Sequence, residues 1–253
     1  MKTQFLYGFH PVRAALDAHP ERILEAWVDP TRTDSRMAEL GRRLQEAGIP
    51  VHPASARALE RKAGTPQHQG VVVRYRPPPP AGLNDLDGLA GESDGAPVLF
   101  LALDGVTDPH NLGACMRSAH AAGARAVIVP RPRSAPLTPA ARKVASGAAE
   151  RLPLVVVPNL TQALERLKGG GLWVWGLAAE GAMRLYEAPL TRPCVLVLGA
   201  EGRGLRSGVR KRCDGLLRIP MAAGAESLNV SVAAGVALFE AVRQRSMVAA
   251  RPG

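Results

Sequence analysis

The chain has 253 residues, 46% of them hydrophobic, enough to bury one large core or two smaller ones. A formal net charge of +10 points to a polyanionic partner, nucleic acid first, while an aromatic content of 4% argues against a base-stacking platform for single strands. No run of eighteen apolar residues occurs, and "MKTQFLYGFHPVRAAL" lacks the long apolar centre of a secretion signal, so neither a membrane span nor export is expected. Cys115, Cys194 and Cys213 have no metal-ligand spacing, and an odd, sparse set fits a reduced cytosol; a cytoplasmic location is the expectation.

In chain order, the pattern predicts a helix over His10–Ala18, a strand over Ile23–Val28, a helix over Asp34–Ala47, a short strand over Ile49–His52, a helix over Ser55–Ala63 and a strand over Gly70–Tyr75. These make a compact α/β domain over residues 1–76. Residues 77–96 open on four prolines and continue Gly- and Asp-rich, with 4 acidic and no basic residues; they read as a semi-rigid spacer and a flexible piece. The second domain, residues 97–253, starts with a buried-strand run over Val98–Gly105 and a helix over His110–Ala122. A strand in "RAVIVP" follows, then a helix over Pro139–Arg151, a strand in "LVVVP" and a helix over Leu160–Lys168. "LWVWGLA", "CVLVLGAEG" and "GLLRIPM" are three further strand runs, and a closing helix starts at Val230, with Val232, Val236, Phe239 and Val242 on its core face. Continuous apolar strands between helices imply a parallel sheet covered on both faces.

Three polar, glycine-bearing segments follow strand runs: Asp104 to Arg117, Gly199 to Gly204, and Pro220 to Ser231. In an open parallel sheet, ligands collect at the carboxyl ends of the strands, so these segments are expected to converge on one crevice; taken singly they read as ordinary turns. "GAEGRG" does not have the glycine order of a dinucleotide fingerprint. Glu201 by itself reads as an ion-pair partner of Arg203 or Arg206, Asp108 or Asn111 as a helix cap, and Asn229 as the cap of the last helix. Six scattered histidines form no metal-spaced cluster, and no nucleophile elbow, zinc-protease helix or phosphate loop is present.

Taken together, "LDGVTDPHNLGACMRSAHAAGA", "LVLGAEGRGLR" and "RIPMAAGAESLNVSVAAGVALFEAVRQR" resemble, in order and spacing, the three motifs of the SpoU (TrmH-like) family of RNA ribose 2′-O-methyltransferases. "YGFHPVRAAL" and "RSAPLTPAARKVASGAAE" are similar to the branch that methylates guanosine in 23S ribosomal RNA. The resemblance implies an α/β fold. A small RNA-recognition domain precedes a parallel-sheet domain of the SPOUT class, whose C-terminal part threads a deep trefoil knot and packs as a homodimer. It implies S-adenosylmethionine as cofactor, held at Gly199, Ile219 and Leu228 with Met221 and Ser231 in the same loops. Asn111, Arg117, Glu201, Ser227 and Asn229 match the catalytic motif positions. His120 and Glu226 depart from the residues common among relatives.

The implied reaction is attack of a ribose 2′-hydroxyl on a sulfonium-activated methyl, chemistry that calls for positioning and for deprotonation of a weak acid rather than for a metal. A guanidinium stays protonated in proteins, so the role expected for Arg117 is to grip a phosphate and stabilise the developing alkoxide, with Asn111 orienting it. The partner implied is 23S ribosomal RNA; a transfer RNA 2′-O-methyltransferase and a non-catalytic RNA-binding assembly factor are the alternatives.

Overall fold

The computed structural model describes residues 3–91 and 95–249 of the chain. Residues 92–94 of the expected spacer lie outside the described residues. Two compact units are formed. One comprises the chain up to Pro79 together with Leu137–Arg151; the other comprises Pro80–Pro136 and the chain from Leu152 onward.

The first unit is built from β1 (Gln4–Tyr7), α1 (Phe9–Ala18), β2 (Ile23–Val28), α2 (Ser35–Glu46), β3 (Val51–Pro53), α3 (Ala56–Ala63) and β4 (Val71–Tyr75). Its sheet has the order β1-β4-β2-β3, with β4 antiparallel to both neighbours and β2 parallel to β3. The branched run Val71, Val72, Val73 is fully buried because β4 is central and covered on both faces. Helix starts follow the sequence signals. The Asp34 carboxylate accepts from the Met37 amide at 3.2 Å, and Ser55 takes the equivalent bond from Ala58. The polar–apolar pattern before the first helix is too short to announce β1, which is defined by its pairing with β4.

The second unit contains α4 (Leu86–Gly91), β5 (Leu99–Asp104), α5 (Pro109–Ala121) and β6 (Ala126–Pro130). After β6 the chain supplies α6 (Pro139–Ala145) to the first unit and then returns for β7 (Leu154–Val157), α7 (Leu160–Gly169), β8 (Trp173–Leu177), β9 (Met183–Arg184), β10 (Cys194–Gly199), α8 (Ser207–Arg210), β11 (Gly215–Arg218) and α9 (Val230–Ala249). The seven strands are all parallel, in the order β7-β6-β5-β10-β8-β11-β9. Phe100, Ile128, Val155, Val174 and Val197 of the sheet pack with Leu160, Leu164 and Leu167 of α7; each buried aliphatic side chain contributes roughly 1.5–3 kcal/mol. Connections run from β5 outward through β6 to β7, and then resume on the other side with β8 and β10. The seam between β5 and β10 is therefore where ligand crevices form in such sheets.

Three expectations differ from this structure. The Pro-rich stretch is not wholly a spacer: Ala81 bridges Val155 at the sheet edge, and Leu86 of α4 is fully buried in the second unit's core. The helix expected over Pro139–Arg151 breaks after Ala145. Ser146 (φ 53°) and Gly147 (φ 92°) turn left-handed, and a Cβ on Gly147 would stand 2.8 Å from Ala14 Cβ and 3.3 Å from the His10 carbonyl, so only glycine lets the turn lie on α1. On α9 the core face is Val230, Ala234, Ala237, Leu238 and Ala241, while Val232 and Phe239 stay 50% and 49% exposed. Helices α5 and α9 pack on each other, and the small residues of both are what permit their approach.

Candidate functional site

The crevice at the carboxyl edge of the seam is built from three chain segments. Gly199, the last residue of β10, is in register with Asp104, the last of β5. After β10 the loop folds back on itself: the Gly204 amide donates to the Ala200 carbonyl at 2.9 Å, and a Cβ on Gly199 would stand 2.0 Å from the Gly204 carbonyl carbon. No side chain can occupy that position without displacing backbone. Beneath this loop, Asp104 is buried and accepts from the Arg206 amide (2.9 Å) and from Arg206 Nε (2.6 Å), which pins the far end of the loop to the floor of the sheet.

After β5 the chain turns at Gly105 (φ +84°) and enters α5, whose first turn is capped by Asp108 accepting from the His110 amide at 2.9 Å. That turn carries Asn111. From β11 the chain runs through residues 219–229 without regular structure and enters α9, with Asn229 Oδ1 accepting from the Ser231 amide (2.9 Å) and Ser231 Oγ (2.6 Å). Asn229 is therefore the cap expected from the sequence, and its other end is used as well. Its Nδ2 donates to Glu201 Oε1 (2.7 Å) and to Asn111 Oδ1 (3.0 Å), and Asn111 Nδ2 donates to the same Glu201 oxygen at 3.2 Å. Residues 111, 201 and 229 thus form one closed polar cluster. Glu201 is held by two amides, not by Arg203 or Arg206, and Arg206 belongs to Asp104.

A cavity of about 380 Å³ opens beside this cluster. Leu177, Leu198, Ile219 and Leu228 supply apolar wall; Gly199, Glu201, Met221, Ser227 and Glu226 also line it. Among the described residues, the amides of Met221, Ser227 and Leu228 make no backbone hydrogen bond and remain open to a ligand. An apolar slot with free backbone donors and a glycine cradle fits the adenosyl part of S-adenosylmethionine. Of the residues expected to hold it, Gly199, Ile219, Met221 and Leu228 line the cavity, whereas Ser231 is turned into the first helical turn and bonded to Asn229. Ser227, expected with the catalytic group, is on the cavity wall.

Arg117 is exposed on α5, and among the described residues its side chain makes no hydrogen bond or ion pair. The expected orienting bond from Asn111 is absent because both ends of that amide are engaged by Glu201 and Asn229. His120 is exposed on the same helix, and Glu226 forms no ion pair among the described residues. Two pairs escaped the sequence reading. One is Asp104–Arg206, whose trace was a single acid ending an otherwise apolar strand. The other is the ion pair of Glu180 with Arg210, which lies on the cavity wall and has no local signal. Among the described residues no three His, Cys, Asp or Glu gather as a metal site, and no helix is long and apolar enough to cross a membrane.

Comparison with known proteins agrees with this geometry. Residues 98–239 match the model of the SpoU rRNA methylase family, and residues 5–81 match that of the RNA 2′-O ribose methyltransferase substrate-binding domain. The chain is 51% identical over 241 residues to the 23S rRNA (guanosine-2′-O-)-methyltransferase RlmB of Pseudomonas syringae pv. tomato, covering 95% of this chain and 96% of the relative. It is 48% identical over 245 residues to the protein of that name from Vibrio vulnificus, covering 97% and 98%. Among solved structures, the SpoU methyltransferase AviRb of Streptomyces viridochromogenes in complex with AdoMet superposes with a TM-score of 0.77 at 27% identity, over 96% of this chain and 90% of that one. With its motif residues gathered at one cavity and the family models matching most of its length, the chain belongs to the SpoU rRNA methylase family.

Proposed function

We propose that this protein transfers a methyl group from S-adenosylmethionine to the ribose 2′-hydroxyl of a guanosine in 23S ribosomal RNA, in the cytoplasm. The observation that carries the reading is the closed Asn111–Glu201–Asn229 cluster at the mouth of an apolar, glycine-floored cavity. The likeness to relatives of that activity over almost the whole chain supports it. S-adenosylmethionine supplies a methyl already activated by sulfonium charge. The protein's part is to hold the attacking hydroxyl in line and stabilise the charge it develops as its proton passes to water. Glu201 fixes the two amides, so the three loops keep one arrangement. Ser227 faces the cavity and is placed to accept from or donate to the ribose. Arg117, without a side-chain partner among the described residues, is available to a phosphate and to the developing alkoxide. Its charge, rather than proton abstraction, is the role assigned, so Arg117→Lys retains measurable turnover with an unshifted pH–rate profile; complete loss of turnover at unchanged RNA affinity would overturn that role.

The finer features belong to the same reading. The close backbone approach at Gly181, where a Cβ would stand 2.5 Å from the Leu217 carbonyl carbon, is compatible with a chain threaded as a trefoil knot. The uncovered Val232 and Phe239, seven residues apart on α9, support a homodimer through that helix. Gly235 lies between them, and a Cβ built there would meet only Ser118 Oγ, at 3.7 Å, so the position has room for close approach of a second copy.

The test is methyl transfer from labelled S-adenosylmethionine to transcripts of 23S rRNA and of transfer RNAs, with mapping of the blocked 2′-position. Transfer to 23S rRNA alone is expected. Transfer to transfer RNA alone would favour the alternative substrate, and cofactor binding without transfer to any RNA would defeat the enzyme reading.

A further inference from the structure

Among the described residues, three other than glycine adopt positive φ: Gln69 (56°), Arg133 (63°) and Ser146 (53°). Two have a structural reason. Gln69 turns its side-chain oxygen to accept from the Phe9 amide at 3.1 Å, and Ser146 ends α6. Arg133 has none: its side chain is exposed and makes no hydrogen bond or ion pair among the described residues, although the left-handed region costs an unbranched long side chain free energy that glycine would avoid. Such an outlier, retained without a structural use, points to function.

The position of Arg133 says which function. The loop after β6 is anchored at both ends: the Arg131 amide donates to the Val157 carbonyl at 2.7 Å, and the Ala135 amide to the Val106 carbonyl at 2.8 Å. Gly105 lies between this loop and the loop of Glu201. A Cβ built on it would be 4.0 Å from the Arg133 carbonyl on one side and 3.7 Å from Ala200 Cβ on the other. The Arg133 backbone is thus one residue's width from the segment that carries Glu201. The side chains of Arg131, Arg133, Arg117 and Arg203 are all exposed and all lack protein partners among the described residues. They project from segments that follow three adjacent strands, β6, β5 and β10, at the carboxyl edge that holds the site. In the same unit, by contrast, Arg166, Arg206, Arg210 and Arg212 are neutralised by carboxylates.

We propose that the Arg131–Arg133 loop is a phosphate clamp. The guanidinium of Arg133, presented by its strained backbone, holds a backbone phosphate of the RNA strand beside the target ribose, and Arg131 adds a second contact. Arg133 is a positioning residue in this assignment, and the proposal rests on the RNA-methylating function above. Phosphate is the chemistry a row of unpaired guanidiniums recognises, and such contacts fix register rather than read sequence.

The experiment compares wild type with R133G, which relieves the backbone, and R133Q, which keeps side-chain bulk without charge. RNA affinity for a 23S rRNA transcript is measured across a KCl series, cofactor affinity by calorimetry, and Tm by scanning calorimetry. Both variants should bind RNA more weakly, with the slope of log K against log salt reduced by about 0.7–0.9, the share of one phosphate contact. KM for RNA should rise more than kcat falls, cofactor affinity should be unchanged, and R133G should melt no lower than wild type. Unchanged RNA affinity and salt slope in both variants would overturn the clamp. If wild type itself transfers no methyl to 23S rRNA, the proposed function fails instead, and the salt series still reports whether Arg133 meets RNA.

Discussion

Glu201 shows what a single side chain can do at this site. One of its oxygens receives both Asn111 and Asn229, so it organises three segments that are distant in sequence without an ion pair of its own. Glu201→Ala should lower the single-turnover rate by about 100-fold, the scale of losing a preorganised polar contact near the reacting atoms. Being exposed, the cluster should add within about 0.5 kcal/mol to stability, so Tm should barely move. Glu201→Gln keeps an acceptor and should lose less; equal loss in the two would mean that the charge, not the hydrogen bonding, matters. A second prediction concerns Cys115, whose thiol burial pushes up from its ordinary 9.0 to about 12. The folded chain then holds that proton where the unfolded chain has released it. The sign follows from linkage: the contribution to stability is intact below pH 9 and is lost as pH rises from about 9 to about 12. Calorimetry at pH 8 and pH 10.5 should show a falling Tm, and Cys115→Ala should make the fall shallower.

At the scale of elements, the ends of α9 do different work. Its first turn is tied to the site through Asn229. Near its other end, Arg245 donates to the carbonyls of Pro97, Val98, Leu190 and Arg192, holding the helix to the entrances of β5 and β10. These acceptors sit where loops enter the sheet; the Val98 carbonyl also accepts from the Cys194 amide at 3.0 Å, but among the described residues those of Pro97, Leu190 and Arg192 have no backbone donor to replace the guanidinium. Arg245→Ala should therefore destabilise the protein by about 3 kcal/mol in urea unfolding, because several partly buried carbonyls lose a charged donor at once. In the first unit, Tyr75, Glu150 and Arg142 form a comparable buried link. The Tyr75 hydroxyl donates to Glu150 at 2.5 Å, Arg142 pairs with the same carboxylate, and burial first, then the carboxylate, raises the tyrosine's pKa. This network is what binds Leu137–Arg151 to a sheet far from it in sequence.

For the whole molecule, the surplus of positive charge has two fates. In the second unit part is spent on internal ion pairs, while Arg117, Arg131, Arg133 and Arg203, exposed and without an ion pair among the described residues, follow strands at the carboxyl edge of the large sheet; in the first unit Arg36, Arg57 and Arg61 of α2 and α3 are likewise exposed and unpaired among the described residues. The apolar surface is similarly divided, since α9 buries its alanines against α5 and leaves Val232 and Phe239 uncovered. If that face meets a second copy, Phe239→Asp should shift sedimentation at micromolar concentration from dimer to monomer while circular dichroism stays unchanged. A wild-type monomer at all concentrations would remove the basis for the dimer.

Much was legible from local pattern. The boundaries of β2 follow from its apolar run, the starts of α2 and α3 from Asp34 and Ser55, and the gathering of the three glycine-bearing segments from their places after parallel strands. These are set by interactions within a few residues or by a general rule of sheet topology, so the amino-acid order alone determines them. What the sequence could not decide depends on residues brought together from afar. The break of the helix at Ser146 is forced by the approach of α1 to Gly147, and the face of α9 that becomes core is chosen by α5. The partner of Glu201 is chosen by two amides 90 and 28 residues away. Periodicity ranks which residues are apolar; only the packed structure decides which neighbour each of them meets, because that choice is made by steric fit between elements and not by the order of residues within one.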